Sequence, residues 1–475
     1  MRPATQARRR AAGLLAAITL LATAAAPVSA QGGPSVERTY LIIARGNALP
    51  AGLAEAVEAA DGRMVGTAVE IGVATAVSSD PDFRSAVGSL KGIRSVSISP
   101  SLQRVDPTRV IEGPSISAVN PPNTGDDDFF FDLQWGHDAV DAPEAWEAGR
   151  RGAGARVAVL DTGFDTDHPD LAPNIDFDAS LSFVPGEGLD YALPDTFSHG
   201  THTAGTVAAA DNGFGTIGVA PEAELILIKV LPDAGCGGDG PILEGIMHAA
   251  GPADADVISL SLGAALQKSG YLEEGCDEGP EDDVWVTANE VAEIRHAYAR
   301  AVKYANAQGA TVIASAGNSA SDGDHTADLI HLPSDTPGVL SISATGPVGW
   351  ALDPDTFLDH PASYTNYGQS VIDFAAPGGD FVLPGEDLCT VAGVSGVPCW
   401  AFDLVFSTGN NGWYWSAGTS MAAPHVAGVA ALYIGANGGE MSPKQVEQTL
   451  RATADDLGKP GNDDFYGMGR VDAAD

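Results

Sequence analysis

The chain has 475 residues, enough for two or three domains, and its 44% hydrophobic content suits a packed core. Its 24 Lys and Arg stand against 63 Asp and Glu, a formal charge of −39. So acidic a chain repels nucleic acid and anionic membrane surfaces, which argues against polyanion binding and for a well-hydrated surface.

Residues 1–30 read as a targeting segment. Arg2 and the run Arg8-Arg9-Arg10 lead into "AAGLLAAITLLATAAA", and the small residues Val28-Ser29-Ala30 follow. That apolar run is shorter than the ~20 residues a membrane span needs. An export signal cleaved near Ala30 is expected, with no membrane attachment afterwards. Export makes disulfides the expected state of the four cysteines, Cys236, Cys276, Cys389 and Cys399. Three pairings are open; closeness in sequence favours Cys236–Cys276 and Cys389–Cys399.

Between residues 38 and 105 the pattern predicts a small βαββαβ domain of the split βαβ kind. "RTYLIIAR" reads as a strand, "ALPAGLAEAVEAA" as a helix, and "MVGTAVEI" and "VATAVSS" as two more strands. A second helix, "PDFRSAVGSLKG", and a last strand, "RSVSISP", complete it. "EGPSISAVNPPNTGDDD" then reads as an exposed, cleavable linker.

From about residue 133 buried-strand runs alternate with helical patterns. "RVAVLDTG", "AELILIKVL", "DVISLSLG", "ATVIASAGN", "GVLSISATG" and "VIDFAAPG" are the strands; "GPILEGIMHAA" and "ANEVAEIRHAYARAVKYANAQ" are helices between them. The prediction is an α/β fold, a doubly wound and mostly parallel sheet with helices on both faces. Ligands in such folds sit where strands end at their carboxyl side, and Asp161, Ser261 and Asn318 stand there. Ser442, Pro443 and Gln445 predict a capped start for a last helix.

In "SHGTHTAG", His199 and His202 are three residues apart. They read either as two metal ligands on one helical face or as a base and its packing neighbour. Ser420 in "SAGTSMAAPHVAG" opens a long apolar helix. It reads as a helix cap or as a nucleophile whose developing charge faces oriented N–H groups. A serine nucleophile needs a histidine to take its proton and a carboxylate to hold that ring, and Asp161 ends a buried strand. The histidines lack the H-E-x-x-H pattern of a metal hydrolase.

Taken together, "VAVLDTGFDTDHPDL", "SHGTHTAGTVAA", "GVAPEAELILIKVL", "ISLSLG", "ASAGN" and "GTSMAAPHVAG" resemble the subtilisin-like serine peptidases, over most of residues 133–475 and in that family's order. The resemblance implies a secreted endopeptidase acting on polypeptides through an acyl-enzyme. Asp161 would be the orienting carboxylate, His199 the base, Ser420 the nucleophile and Asn318 the oxyanion donor. The Asp, His, Ser order is subtilisin's, not that of α/β-hydrolases. The rival reading is a catalytically silent peptide-binding scaffold, which would lack one of these four residues.

Further expectations follow from the same resemblance. Ser261, Leu262 and Gly263 would pair with substrate backbone and wall the first specificity pocket. A structural calcium ion, and no catalytic cofactor, is implied. Its ligands would be Asp170, the side chain of Asn212, and the carbonyls of Ala210, Phe214 and Thr216, with Asp127 from near the mature N-terminus. A solvated acidic turn is the alternative. Residues 31–110 would be an inhibitory propeptide, cut off between about Asp106 and Asp126, leaving 111–475 as a catalytic domain expected to be monomeric. Two insertions depart from compact relatives, residues 264–295 and 379–413.

Overall fold

The computed structural model describes residues 36–104, 109–114, 126–193, 197–273, 276 and 284–474. The export signal and Ala30 lie outside the described residues, as does much of the expected maturation region. Strand β1 (Arg38–Ala44), helix α1 (Leu53–Ala59), β2 (Gly62–Ala68), β3 (Val73–Ser78), α2 (Phe83–Gly88) and β4 (Ile93–Ile98) follow the predicted βαββαβ order. They form an antiparallel sheet in the order β2-β3-β1-β4. Two boundaries differ from the prediction. Gly52 takes a left-handed turn with φ 80° before Leu53, so α1 starts later. Val69–Ile71 is a 3₁₀ turn rather than the end of a strand.

The apolar run of β1 has a physical reason, because both faces of this sheet are covered. Tyr40 and Ile42 pack with Val57, Ala74, Phe83 and Val87 under the domain's own helices. Leu41 and Ile43 face the other way and join Ile242, Ile246 and Ala297 of the larger unit.

Two short strands follow, β5 (Ser101–Arg104) and β6 (Arg109–Glu112). The larger unit continues through α3 (Trp135–Ala139), α4 (Ala142–Glu147), β7 (Arg156–Asp161), β8 (Leu181–Ser182), α5 (His199–Ala208), β9 (Glu224–Lys229) and β10 (Cys236–Gly238). Then come α6 (Asp239–Ala250), β11 (Val257–Leu260), β12 (Leu262–Gln267), β13 (Gly270–Glu273), β14 (Val284–Thr287), α7 (Ala288–Gln308), β15 (Thr311–Ser315), β16 (Leu329–Leu332) and β17 (Val339–Gly346). The last are β18 (His360–Pro361), β19 (Phe374–Pro377), β20 (Leu388–Val391), β21 (Val394–Pro398), β22 (Val405–Gly409), β23 (Gly412–Ala417), α8 (Thr419–Ala436) and α9 (Pro443–Thr453).

The central sheet runs β18-β17-β15-β11-β7-β9-β8, with β19 also on β17, and only the β17–β18 pairing is antiparallel. Alternate residues of β7 feed two cores: Val157 and Val159 face the side of α5 and α8, Ala158 and Leu160 that of α6 and α7. Helix α8 is apolar all round and buried through Ile434, as a helix crossing a core must be. Ser442 and Gln445 form the predicted capping box of α9. Both favoured disulfides, Cys236–Cys276 and Cys389–Cys399, are present. Among the described residues no helix is long and apolar enough to cross a membrane.

The stretch expected to be an exposed linker is anchored at both described ends. β6, which runs to Glu112, pairs with β23, and Asp128 is buried. Of the first insertion, the acidic residues 277–283 lie outside the described residues, while β13 and β14 form a hairpin before α7.

Candidate functional site

Asp161 ends β7 and His199 begins α5, and the loop between them is tied down at the helix start. Ser198 Oγ donates to Gly163 O at 2.7 Å and accepts from Thr201 N at 3.1 Å, capping α5. His199 Nδ1 then lies 2.8 and 2.9 Å from the two oxygens of Asp161. That carboxylate also accepts from Thr162 N at 2.7 Å and Thr203 Oγ1 at 3.1 Å. Two fixed donors leave the carboxylate little freedom, so the ring is held through Nδ1. His199 Nε2 is buried without a hydrogen-bond partner.

Ser420 sits in the first turn of α8. Its Oγ approaches Ser261 O at 3.4 Å, and Ser261 Oγ donates to Ser420 O at 2.8 Å. This side-chain bond from Ser261 was not expected; only backbone and pocket-wall roles were read for it. Asn318 Oδ1 accepts from Thr419 N at 2.9 Å and Thr419 Oγ1 at 2.8 Å, and Gly317 N donates to the same hydroxyl at 3.1 Å. With its oxygen held by Thr419, the planar amide turns Nδ2 to the opposite side. Asp161, His199 and Ser420 are all fully buried.

The chain's own β5 and β6 lie on either side of this constellation. β5 runs antiparallel between β10 and β12, with Arg104 opposite Leu262 and Gln103 opposite Gly263. It therefore heads toward Ser261, the neighbour of Ser420. β6 runs antiparallel to β23, starting with Arg109 opposite Ala417, three residues before Ser420, and moving away.

His202, one turn into α5, is not brought together with His199 as a ligand pair. Its Nε2 bonds the carbonyl of Tyr414 at 3.1 Å, and burial lowers its pKa to about 3, so it is a neutral packed ring. Of the two readings of this pair, His202 takes the position of the packing neighbour.

The expected calcium ligands are only partly gathered. Asp170 is buried; its Oδ2 accepts from Thr216 N at 2.9 Å and Trp413 Nε1 at 2.8 Å, while Oδ1 has no partner. Asn212 donates its amide to Pro169 O at 3.3 Å. Asp127 is exposed and lies with Asp126, Asp128 and Asp211, their carboxylate oxygens within 4.8 Å of one another. The residue of that segment touching the loop is Asp128, which accepts from Asn212 N at 3.4 Å and Phe214 N at 3.1 Å. Asp127 belongs to the same acidic group, while Asp128 is the buried member that touches the loop. The Asp128 Oδ2 atom is also buried and unpartnered. Two orphaned carboxylate oxygens bordering one loop fit a hard cation's donor chemistry.

Sequence reading missed Lys229, fully buried at the end of β9 and paired with Glu187 at 2.8 Å and with Asp233. It also missed Trp413, which the second insertion brings to Asp170. A lysine inside "LILIK" was the available signal for the first; nothing local announces the second.

The model described as "Subtilase family" matches residues 152–469. Over 342 residues, covering 72% of this chain and 97% of that protein, the chain is 34% identical to Subtilisin Savinase of Lederbergia lenta. It is 31% identical to Thermitase of Thermoactinomyces vulgaris over 352 residues, 74% of this chain and 98% of that one. Among solved structures, fervidolysin from Fervidobacterium pennivorans, described as a keratinolytic enzyme related to subtilisin, superposes with a TM-score of 0.63 at 27% identity, over 92% of this chain and 60% of that one. The epidermin leader peptide processing serine protease of Staphylococcus aureus shares the fold, with a TM-score of 0.70 at 21% identity over 93% and 97% of the two chains.

Proposed function

Because the chain belongs to the subtilase family of serine endopeptidases, we propose that Ser420 is its nucleophile, His199 its general base and Asp161 the carboxylate that orients the base. The carrying observation is the His199–Asp161 contact at 2.8 Å, which commits Nδ1 and leaves the buried Nε2 without a hydrogen-bond partner. In this reading Nδ1–H stays with Asp161 and Nε2 takes the Ser420 proton as Oγ attacks the scissile carbonyl. The Ser420 N–H and Asn318 Nδ2 stabilise the oxyanion, which collapses to the acyl-enzyme as His199 returns the proton to the leaving amine. Water then repeats the sequence and frees Ser420. A serine-directed phosphonate should label the wild type and fail to label Ser420→Ala; equal labelling would overturn the assignment.

Residues 31–110 act, in this reading, as an inhibitory prosegment of an exported, monomeric precursor. What supports this is that β5 ends at Arg104 opposite Leu262, beside Ser261, and β6 begins at Arg109 opposite Ala417, three residues before Ser420, so both described ends lie near the proposed nucleophile. The prosegment sheet docks on α6 and α7, where Arg84 meets Glu290 at 2.7 Å, Ser99 meets Asp239 at 3.1 Å, and Arg300 donates to carbonyls of Ala44 and Ile71.

Structural calcium belongs to the same proposal. Asp170 and Asp128 would hold it at the 210–216 loop, supplying carboxylate oxygens, and the ion would brace that loop without entering the reaction. Chelation should lower the melting temperature of the purified protein and calcium should restore it, a stabilisation of about 2.7 kcal/mol at a hundredfold excess over Kd. No shift would remove calcium from the reading.

A further inference from the structure

Beyond the nucleophile the departing chain follows β23, an edge strand that belongs to the second insertion's neighbourhood. Without β6, the sheet β22-β23 ends there, and β6 closes it with Val110 opposite Ser416, Ile111 opposite Trp415 and Glu112 opposite Tyr414. Gly113 N extends the ladder to Trp413 O at 2.7 Å. An open edge of this kind accepts any extended backbone, and its neighbouring side chains set the preference.

Those side chains are aromatic. The Arg109 guanidinium carbon stands 4.8 Å from the ring centroid of Trp400 and 5.3 Å from that of Phe381. Both rings belong to the insertion and pack into the main core, and the Cys389–Cys399 disulfide anchors the segment just before Trp400. Such rings are fixed in advance, so a cation placed between them loses little entropy on binding. Arg109 and Ile111 share one face of β6 by the two-residue period of a strand, and Ile111 packs against the same core.

We propose that Phe381, Trp400 and the edge of β23 form a subsite for a basic side chain on the leaving-group side of the cut bond, in extended polypeptide substrates. The proposal rests on the peptidase reading above. The chain's own residues 109–113 show the mode: a backbone ladder to β23, a guanidinium over two rings, and an aliphatic side chain two residues further on. The 379–413 insertion thereby acquires a role in selecting substrate.

The test uses the mature enzyme and internally quenched peptides spanning residues 100–113, PSLQRVDPTRVIEG, either native or with Arg109 replaced by Ala or Glu. A short acyl-anilide, which ends at the leaving group, serves as control. Mass spectrometry should place the cut between residues 104 and 109. The Ala peptide should lose about three- to tenfold in kcat/KM and the Glu peptide more, because a ring face attracts a cation and repels a carboxylate. Phe381→Ala and Trp400→Ala enzymes should lose that discrimination while keeping anilide turnover. Equal cleavage of the three peptides by wild type, with normal anilide turnover, overturns the subsite whatever the variants do. So does a cut outside the stated bonds. Failure on the anilide as well would sink the peptidase reading and the subsite with it.

Discussion

The two strand edges flanking Ser420 make an instructive pair. On the acyl side, β12 begins within "SLSLG" and lies between β5 and β16 in a four-stranded sheet, β10-β5-β12-β16, with Leu102 buried. On the leaving side, β23 works with rings supplied by the 379–413 insertion. The first edge needs mainly backbone groups and a close approach. Gly263 illustrates this, because a β-carbon there would fall 2.6 Å from Leu332 O. The second edge needs particular side chains, so it can differ between relatives that share the first. In the proposed reading, general affinity belongs to one edge and selectivity to the other.

The largest expected effect removes the chemistry common to both edges. Ser420→Ala or His199→Ala should lower kcat by on the order of 10⁶, a magnitude known from subtilisin itself. His202→Ala should leave kcat nearly intact and lower the melting temperature, since the ring's Nε2 bond to Tyr414 O is structural. The reverse outcome in paired assays of activity and melting would break the assignment.

Asn318→Ala comes next, with a loss of about 10²–10³ in kcat and little change in KM, again a subtilisin-derived size. The loss should be the same for an anilide and for a long peptide, because the oxyanion forms at neither edge. A loss confined to long peptides would move Asn318 from the oxyanion to the leaving side.

Gly263→Ala separates the edges directly. Displacing the backbone against Leu332 O should weaken the acyl-side ladder by about 1 kcal/mol, roughly fivefold in kcat/KM for the anilide. Discrimination at residue 109 of the peptide should survive. Its disappearance would mean that the two edges are one coupled surface.

The last effect concerns pH and the docked prosegment rather than either edge. Burial raises the Asp239 carboxyl to about 7 and that of Glu244 to about 7, and both face the prosegment, through Ser99 and the Thr67 backbone. Release of the prosegment rehydrates them and returns them toward the ordinary carboxylate range near 4. Docking is therefore strongest below about pH 4 and weakens as pH rises through 7. Inhibition of mature enzyme by a peptide covering residues 36–104 should weaken about tenfold or more between pH 5 and pH 8, the worth of one pKa unit. Asp239→Asn should flatten the profile; tighter inhibition at pH 8 would contradict it.

Much of this molecule is legible in its sequence because local chemistry repeats there. Continuous apolar runs set the parallel strands, since both sheet faces are covered, and the βαββαβ order of residues 38–98 follows from the same periodicities. Asp161, His199, Asn318 and Ser420 stand out because each ends a strand or opens a helix, where a polar group among small residues needs a reason. Cysteine spacing was enough to favour both disulfides.

Tertiary structure alone decided what depends on segments distant in the chain. Asp128 is the member of the acidic run that touches the 210–216 loop, accepting from Asn212 N and Phe214 N, a contact that no local pattern in the run announces. Trp413 reaches Asp170 across 243 positions. Arg109 meets Phe381 and Trp400 only because β6 pairs with β23 in one register, and a single-residue slip would turn that guanidinium to the opposite face. Periodicity encodes which residues are inside; which of them touch is fixed by how the elements pack into the separate cores on either face of each sheet.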